Sequence, residues 1–287
     1  MREKEKNHMA HIYLRLFAHT LNKNTDVNII LPTPNPDELM EGKESSYFHD
    51  DMHYQVLYLL HGTYGDYSDW CRNTCIERYA QVHKIAIVMP SAENSFYQDM
   101  VHGPKYLTYL TEELPLYLSR LFPISTKRED TFIAGLSMGG YGAWHIALTK
   151  PEQYAAAASL SGVLDFSLMV DEWSGSIEAR ESFEREAPWP IKAIFGEQEL
   201  ENIKLSNANL MVQIKKIIQN DKELPKLFNT IGKDDFLYSN YKSARKLLEE
   251  IGVPVEFEEH NGKHDWTYWD TQIQRVLEWL PLKRTTV

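Results

Sequence analysis

Thr131-Phe-Ile-Ala-Gly-Leu-Ser-Met-Gly-Gly140 is the stretch whose reading decides the fold. Thr131 to Ala134 has the length and apolar character of a buried strand, and Gly140 to Leu148 reads as a helix. Gly135-Leu-Ser-Met-Gly139 therefore falls on a strand-to-helix turn. A turn that tight puts Ser137 in a strained backbone conformation and leaves almost no room for side chains two positions away. Gly135 and Gly139 meet that demand, and Gly140 and Gly142 let the helix pack closely. The serine also lands at a helix N-terminus, where free N–H groups and the helix dipole favour developing negative charge. A bare G-x-S-x-G can be a packing turn and nothing more, but the strand–turn–helix context marks Ser137 as a nucleophile. A phosphate loop is excluded, because Tyr141 follows where Lys-Ser/Thr would be needed.

The chain on either side supplies more strands. Val56-Leu-Tyr-Leu-Leu60 and Ile85-Ala-Ile-Val-Met89 are continuous apolar runs of the kind buried on both faces of a parallel sheet. Tyr154 to Leu160, Lys226 to Ile231 and Val253 to Glu259 follow, and His11 to His19 and Val27 to Leu31 precede. Helical stripes lie between them: Tyr106 to Leu121, with Pro115 kinking it or opening a second helix, then Tyr241 to Ile251, and Thr271 to Leu280 at the end. Strands alternating with helices at this spacing predict right-handed crossovers and a mostly parallel central sheet with helices on both faces. No linker divides the chain, so residues 1–287 are expected to form one domain. The exception to the rhythm is Val163 to Leu224, too long for a simple crossover and acid-rich over Asp171 to Ala187, with Trp173 and Trp189 in or beside it. It is expected to be a cap or lid.

Composition narrows the function. In 287 residues, 30 basic against 41 acidic side chains give −11, a field that repels nucleic acid and anionic membranes. No run of 18 apolar residues exists to span a bilayer. Cys71 and Cys75 are too few for a disulfide framework or a zinc site, and reduced thiols predict a cytoplasmic protein. No His-Glu-x-x-His occurs, and the cluster His49-Asp50-Asp51-Met52-His53 lies in a polar connection, so neither metal nor cofactor is expected. The expected partner is a small-molecule substrate, and a homo-oligomer is compatible with the sequence.

A serine hydroxyl needs a histidine to take its proton and a carboxylate to orient that histidine. On an α/β-hydrolase fold these follow the serine in the order acid, then histidine, on loops after later strands. Gly232-Lys-Asp-Asp-Phe236 and His260-Asn-Gly-Lys-His-Asp-Trp266 occupy those places. The residue after the nucleophile, Met138, offers one backbone N–H to an oxyanion, and the loop after Val56 to Leu60 offers a second.

With Leu59-Leu-His-Gly62, Asp66, Trp70, Ser95-Phe-Tyr-Gln-Asp99, Glu112-Glu-Leu-Pro115, Gly135-Leu-Ser-Met-Gly-Gly140, Gly232-Lys-Asp-Asp-Phe-Leu-Tyr238, Gly262-Lys-His-Asp-Trp266 and Trp269 in this order, the chain resembles the esterase D-like esterases, most closely their bacterial tributyrin esterase group. The match runs over roughly residues 10–282 and is poor over the connection before Tyr54 and over Val163 to Leu224, the regions expected to govern substrate choice. The resemblance implies a triad of Ser137, Asp235 and His264, with Asp234 and His260 as bystanders, and places the second oxyanion donor at Thr63. His61 is expected to brace that loop. Among the aromatics, Tyr97, Trp266 and Trp70 are the candidate substrate contacts. The activity implied is hydrolysis of short acyl esters, with acetyl and hydroxycinnamoyl esters of plant-derived sugars within reach of an aromatic pocket. An S-formylglutathione thioesterase shares the fold, although its usual cysteine-bearing loop is missing here. The fold is also compatible with acyl transfer, and with a catalytically inactive module that only binds.

Overall fold

A computed structural model of the chain describes residues 9–34, 36–42, 52–174 and 189–283. Eight strands form one sheet: β1 (Met9–Ala18), β2 (Lys23–Pro32), β3 (Val56–Leu60), β4 (Ala86–Pro90), β5 (Thr131–Leu136), β6 (Ala156–Leu160), β7 (Lys226–Gly232) and β8 (Val255–His260). Their order is β1-β2-β4-β3-β5-β6-β7-β8. β1 and β2 pair antiparallel, β2 meets β4 antiparallel, and every pairing from β4 to β8 is parallel. The mostly parallel sheet expected from the sequence is therefore present, with an antiparallel hairpin on one edge.

Period-two alternation explains why the sheet needs helices on both faces. Val56, Tyr58 and Leu60 point into one apolar cluster and Leu57 and Leu59 into the other. The first cluster is completed by Trp144 and Ile146 of the helix Met138–Thr149, by Leu114 and Leu118, and by Ala244 and Leu248. The second is completed by Ile76 and Ala80 and by Ile273, Val276 and Leu277 of the helix Trp266–Trp279.

Pro115 stands in the first turn of a separate helix, one of the two outcomes expected for it, while the closing helix departs from its expected start. The stripe Tyr106 to Leu121 is not one helix: a wider π turn, Tyr109–Glu113, precedes the helix Leu114–Leu121. Pro115 has no N–H to give the carbonyl four residues back, and the wider turn accommodates its ring. The closing helix starts at Trp266, five residues before Thr271, because the Asp265 side chain accepts a 3.0 Å hydrogen bond from Tyr268 N–H and caps it.

Between β6 and β7 lie the helices Phe166–Ser174, Ile191–Phe195, Leu200–Lys204 and Leu210–Gln219. Phe166, Ile203, Leu210 and Ile214 are fully buried in the first cluster, so this stretch supplies core as well as surface. Residues 175–187 of the acid-rich part, and His49, Asp50 and Asp51, lie outside the described residues. Among the described residues no helix is long and apolar enough to cross a membrane.

Candidate active site

β5 ends at Leu136, and the next residue turns the chain into the helix Met138–Thr149. Ser137 sits on that corner at φ 53°, a left-handed conformation that costs a non-glycine residue about 1–3 kcal/mol. The surroundings hold it there. Ser137 N–H donates to Leu160 O on neighbouring β6 (2.8 Å), and the Ser137 carbonyl receives Gly140 and Tyr141 N–H. A Cβ on Gly135 would lie 2.4 Å from Gly139 O, and one on Gly139 would lie 2.4 Å from His61 O. The glycines permit the approach of three backbone segments at one point.

The structure brings Ser137, His264 and Asp235 together from three separate loops. His264 Nε2 is 2.9 Å from Ser137 Oγ, and His264 Nδ1 is 2.9 Å and 3.0 Å from the two carboxylate oxygens of Asp235. The Asp235 carboxylate is wholly buried and also accepts Leu237 N–H (2.8 Å). That arrangement leaves Nδ1–H toward the acid and the Nε2 lone pair toward the serine, the tautomer a general base requires. Phe236 and Trp269 clamp the imidazole, with ring centres 4.5 Å and 4.9 Å away. Asp234 is exposed and outside this chain of contacts, and His260 is exposed at the end of β8 beside Glu258.

Thr63 and Met138 border the same space. Neither backbone N–H has a hydrogen-bond partner among the described residues. Met138 opens its helix, so no carbonyl lies one turn back within it. The loop carrying Thr63 is braced by His61, in line with the expectation for that residue. Its Nδ1 is 2.7 Å from Gly62 O and its Nε2 accepts Ala92 N–H at 2.9 Å. With one nitrogen donating and the other accepting the ring is neutral, and burial holds its pKa below the usual histidine value.

A cavity of about 610 Å³ opens at Ser137, lined largely by Phe96, Leu136, Met169, Trp189, Phe236 and Trp266. Trp266 is where a substrate contact was expected. Tyr97 and Trp70 are not, and this corrects the expectation for both. Tyr97 is fully buried and donates its hydroxyl hydrogen to His61 O (2.7 Å), while buried Trp70 donates Nε1–H to Leu60 O (3.0 Å). Both are braces behind the wall, because a buried aromatic with a polar edge is held by whichever backbone carbonyl it reaches. Trp189, Phe236 and Asp69 line the cavity without having been expected as contacts. Phe236 had one available signal, its place next to the acid.

A profile of the family described as "Putative esterase" matches residues 18–280. The chain belongs to that esterase family. An acetyl esterase of Caldicellulosiruptor saccharolyticus is 31% identical over 95% of this chain and 98% of its own length. A solved fluorophosphonate-binding serine hydrolase of Staphylococcus aureus, FphF, is 34% identical with a TM-score of 0.81 over 95% of this chain and 98% of that one. The S-formylglutathione hydrolase FrmB of the same organism is 35% identical with a TM-score of 0.77, covering 95% and 99% of the two chains. This esterase is thus an enzyme, a serine ester hydrolase of the carboxylesterase type on an α/β-hydrolase fold.

Proposed function

We propose that this esterase hydrolyses short acyl esters through Ser137, His264 and Asp235, with acetyl and hydroxycinnamoyl esters of plant-derived sugars as the substrates to test first. The observation that carries the reading is the unbroken hydrogen-bonded chain from Asp235 through His264 to Ser137 Oγ at the floor of an apolar, aromatic-walled cavity. Ser137 Oγ attacks the ester carbonyl as His264 Nε2 takes its proton, and Asp235 steadies the imidazolium. The oxyanion accepts the Thr63 and Met138 N–H groups. His264 then protonates the departing alcohol, and water, activated by the same imidazole, releases the acid and the free serine. Val163, Met169 and Trp189 bring the 163–224 stretch to the cavity wall, which supports its role as a cap over a small-molecule ester.

The test is turnover of p-nitrophenyl butyrate by the Ser137→Ala variant. Loss of a triad serine costs on the order of a million-fold in kcat. A variant that kept most of its activity would remove Ser137 from the mechanism. A second reading, a thioesterase acting on S-formylglutathione, is favoured by the likeness to FrmB. Comparing S-formylglutathione with an acetylated xylo-oligosaccharide separates the two.

A further inference from the structure

Asp69 is the one carboxylate among the described residues that line the cavity at Ser137. It stands at the start of the short helix Asp69–Asn73, beyond the loop that carries Thr63. Its carboxylate lies against that loop: a Cβ on Gly65 would fall 2.1 Å from Asp69 Oδ2, so a larger residue there would push the carboxylate out of its present place. Three residues earlier, Asp66 shows the ordinary fate of an acid in such a turn. Its Oδ1 accepts Ser68 N–H at 2.7 Å and Ser68 Oγ–H at 2.6 Å. Asp69 differs. Its backbone N–H reaches Asp66 O and its carbonyl accepts from Asn73 Nδ2, yet no side chain among the described residues donates to its carboxylate.

Asp69 is half-buried, so its carboxylate keeps only part of its hydration, although neither oxygen is a fully enclosed atom without a partner. Burial first, and the Asp66 charge second, hold the Asp69 carboxyl above the usual aspartate range. The Asp66 N–H and the Arg72 charge pull the other way and do not outweigh them. A negative charge beside an oxyanion loop also opposes the charge that develops during acyl transfer. Both penalties are relieved by a donor brought in with the substrate. Ser239 and Thr63, which share the wall, suit hydroxyl groups.

We propose that Asp69 is a specificity-determining residue whose carboxylate accepts a hydrogen bond from a free hydroxyl on the alcohol part of the substrate, so that the preferred esters are partly acylated polyols or sugars. The inference rests on the ester-hydrolase reading of Ser137 and deepens it. It also disfavours alcohol or thiol parts that carry carboxylates, such as glutathione, which would meet Asp69 as a like charge.

The experiment compares kcat/KM for 1-acetylglycerol, ethyl acetate and acetylcholine in the wild type, Asp69→Ala and Asp69→Asn. The readout is the ratio of 1-acetylglycerol to ethyl acetate, in which any general loss of catalytic power cancels. In Asp69→Ala that ratio is expected to fall about tenfold or more, the size expected for losing a hydrogen bond to a charged group, mainly through KM. Asp69→Asn keeps a neutral acceptor and is expected to fall less. A ratio within twofold of wild type in both variants overturns the proposal. So does an equal fall for acetylcholine, whose alcohol part has charge but no donor, because the effect would then be through-space attraction. If instead Ser137→Ala turns over all three esters as fast as wild type, the ester-hydrolase reading itself has failed and this inference falls with it.

Discussion

Trp189 Nε1 donates a 3.2 Å hydrogen bond to Thr63 Oγ1, joining residues 126 positions apart in the chain. The indole also packs on Phe96, with ring centres 5.1 Å apart. The helix that follows it, Ile191–Phe195, is tied down by Val101 N–H to Ile194 O and His102 N–H to Ala193 O. The stretch between β6 and β7 thereby touches the loop proposed to hold the oxyanion.

That contact makes Trp189→Phe informative. Phenylalanine keeps a ring on Phe96 but cannot donate, leaving Thr63 less firmly placed. A hydrogen bond of this kind is worth about 1 kcal/mol, so kcat on p-nitrophenyl acetate should fall roughly fivefold. Thr63→Val and the double variant complete a cycle. A combined loss smaller than the product of the single losses is expected, and full additivity would mean the two side chains are not coupled.

Gly139→Ala should disable the enzyme and destabilise it together. The added methyl would lie 2.4 Å from His61 O and 2.7 Å from Leu60 O, both backbone atoms that cannot swing away. Overpacking of this kind costs about 1–3 kcal/mol, seen as a lower melting temperature, and the shift displaces Ser137 from His264. Gly252→Ala is the contrast. Nothing lies within 4 Å of its added Cβ, yet φ is 78°, so a loss of about 1 kcal/mol without loss of turnover is expected.

Stability should fall with acidification before the carboxylates titrate. His145 is fully buried against Tyr141, stacked at 5.5 Å, and neither ring nitrogen has a hydrogen-bond partner among the described residues. Burial pushes its pKa down to about 4. Between about pH 6.5 and about pH 4 the unfolded chain binds a proton there that the folded chain refuses, so folding free energy is lost as pH falls through that window. Lost in full across that window, this contribution corresponds to about 3 kcal/mol. Urea titrations at pH 7 and pH 5 should show the drop, and His145→Gln should flatten it. An unchanged slope in that variant would assign the pH dependence to other groups.

Much of the site was legible because its determinants are local. The glycines around Ser137 are required by one tight turn, and the loops 232–236 and 260–266 each follow a recognisable strand, whereas the choice of Asp235 over Asp234 and of His264 over His260 came from the family resemblance. The covered sheet follows from period-two strands that are apolar on both faces. Pro115 marked a break in its helix, but whether the chain would stop or widen into a π turn depends on what packs around it.

The sequence by itself determined the strand–turn–helix corner, the alternation that requires a doubly covered sheet, and the order of nucleophile, acid and base. Only the tertiary structure decided which aromatics face the cavity: Tyr97 and Trp70 turn away to backbone carbonyls, while Trp189 arrives from a distant stretch. It alone also sets the Asp69 carboxylate against Gly65 on the cavity wall. The physical reason is range. Backbone strain and periodicity are set by neighbours a few residues apart, whereas burial, cavity walls and poorly matched charges depend on segments that meet only after the chain has folded.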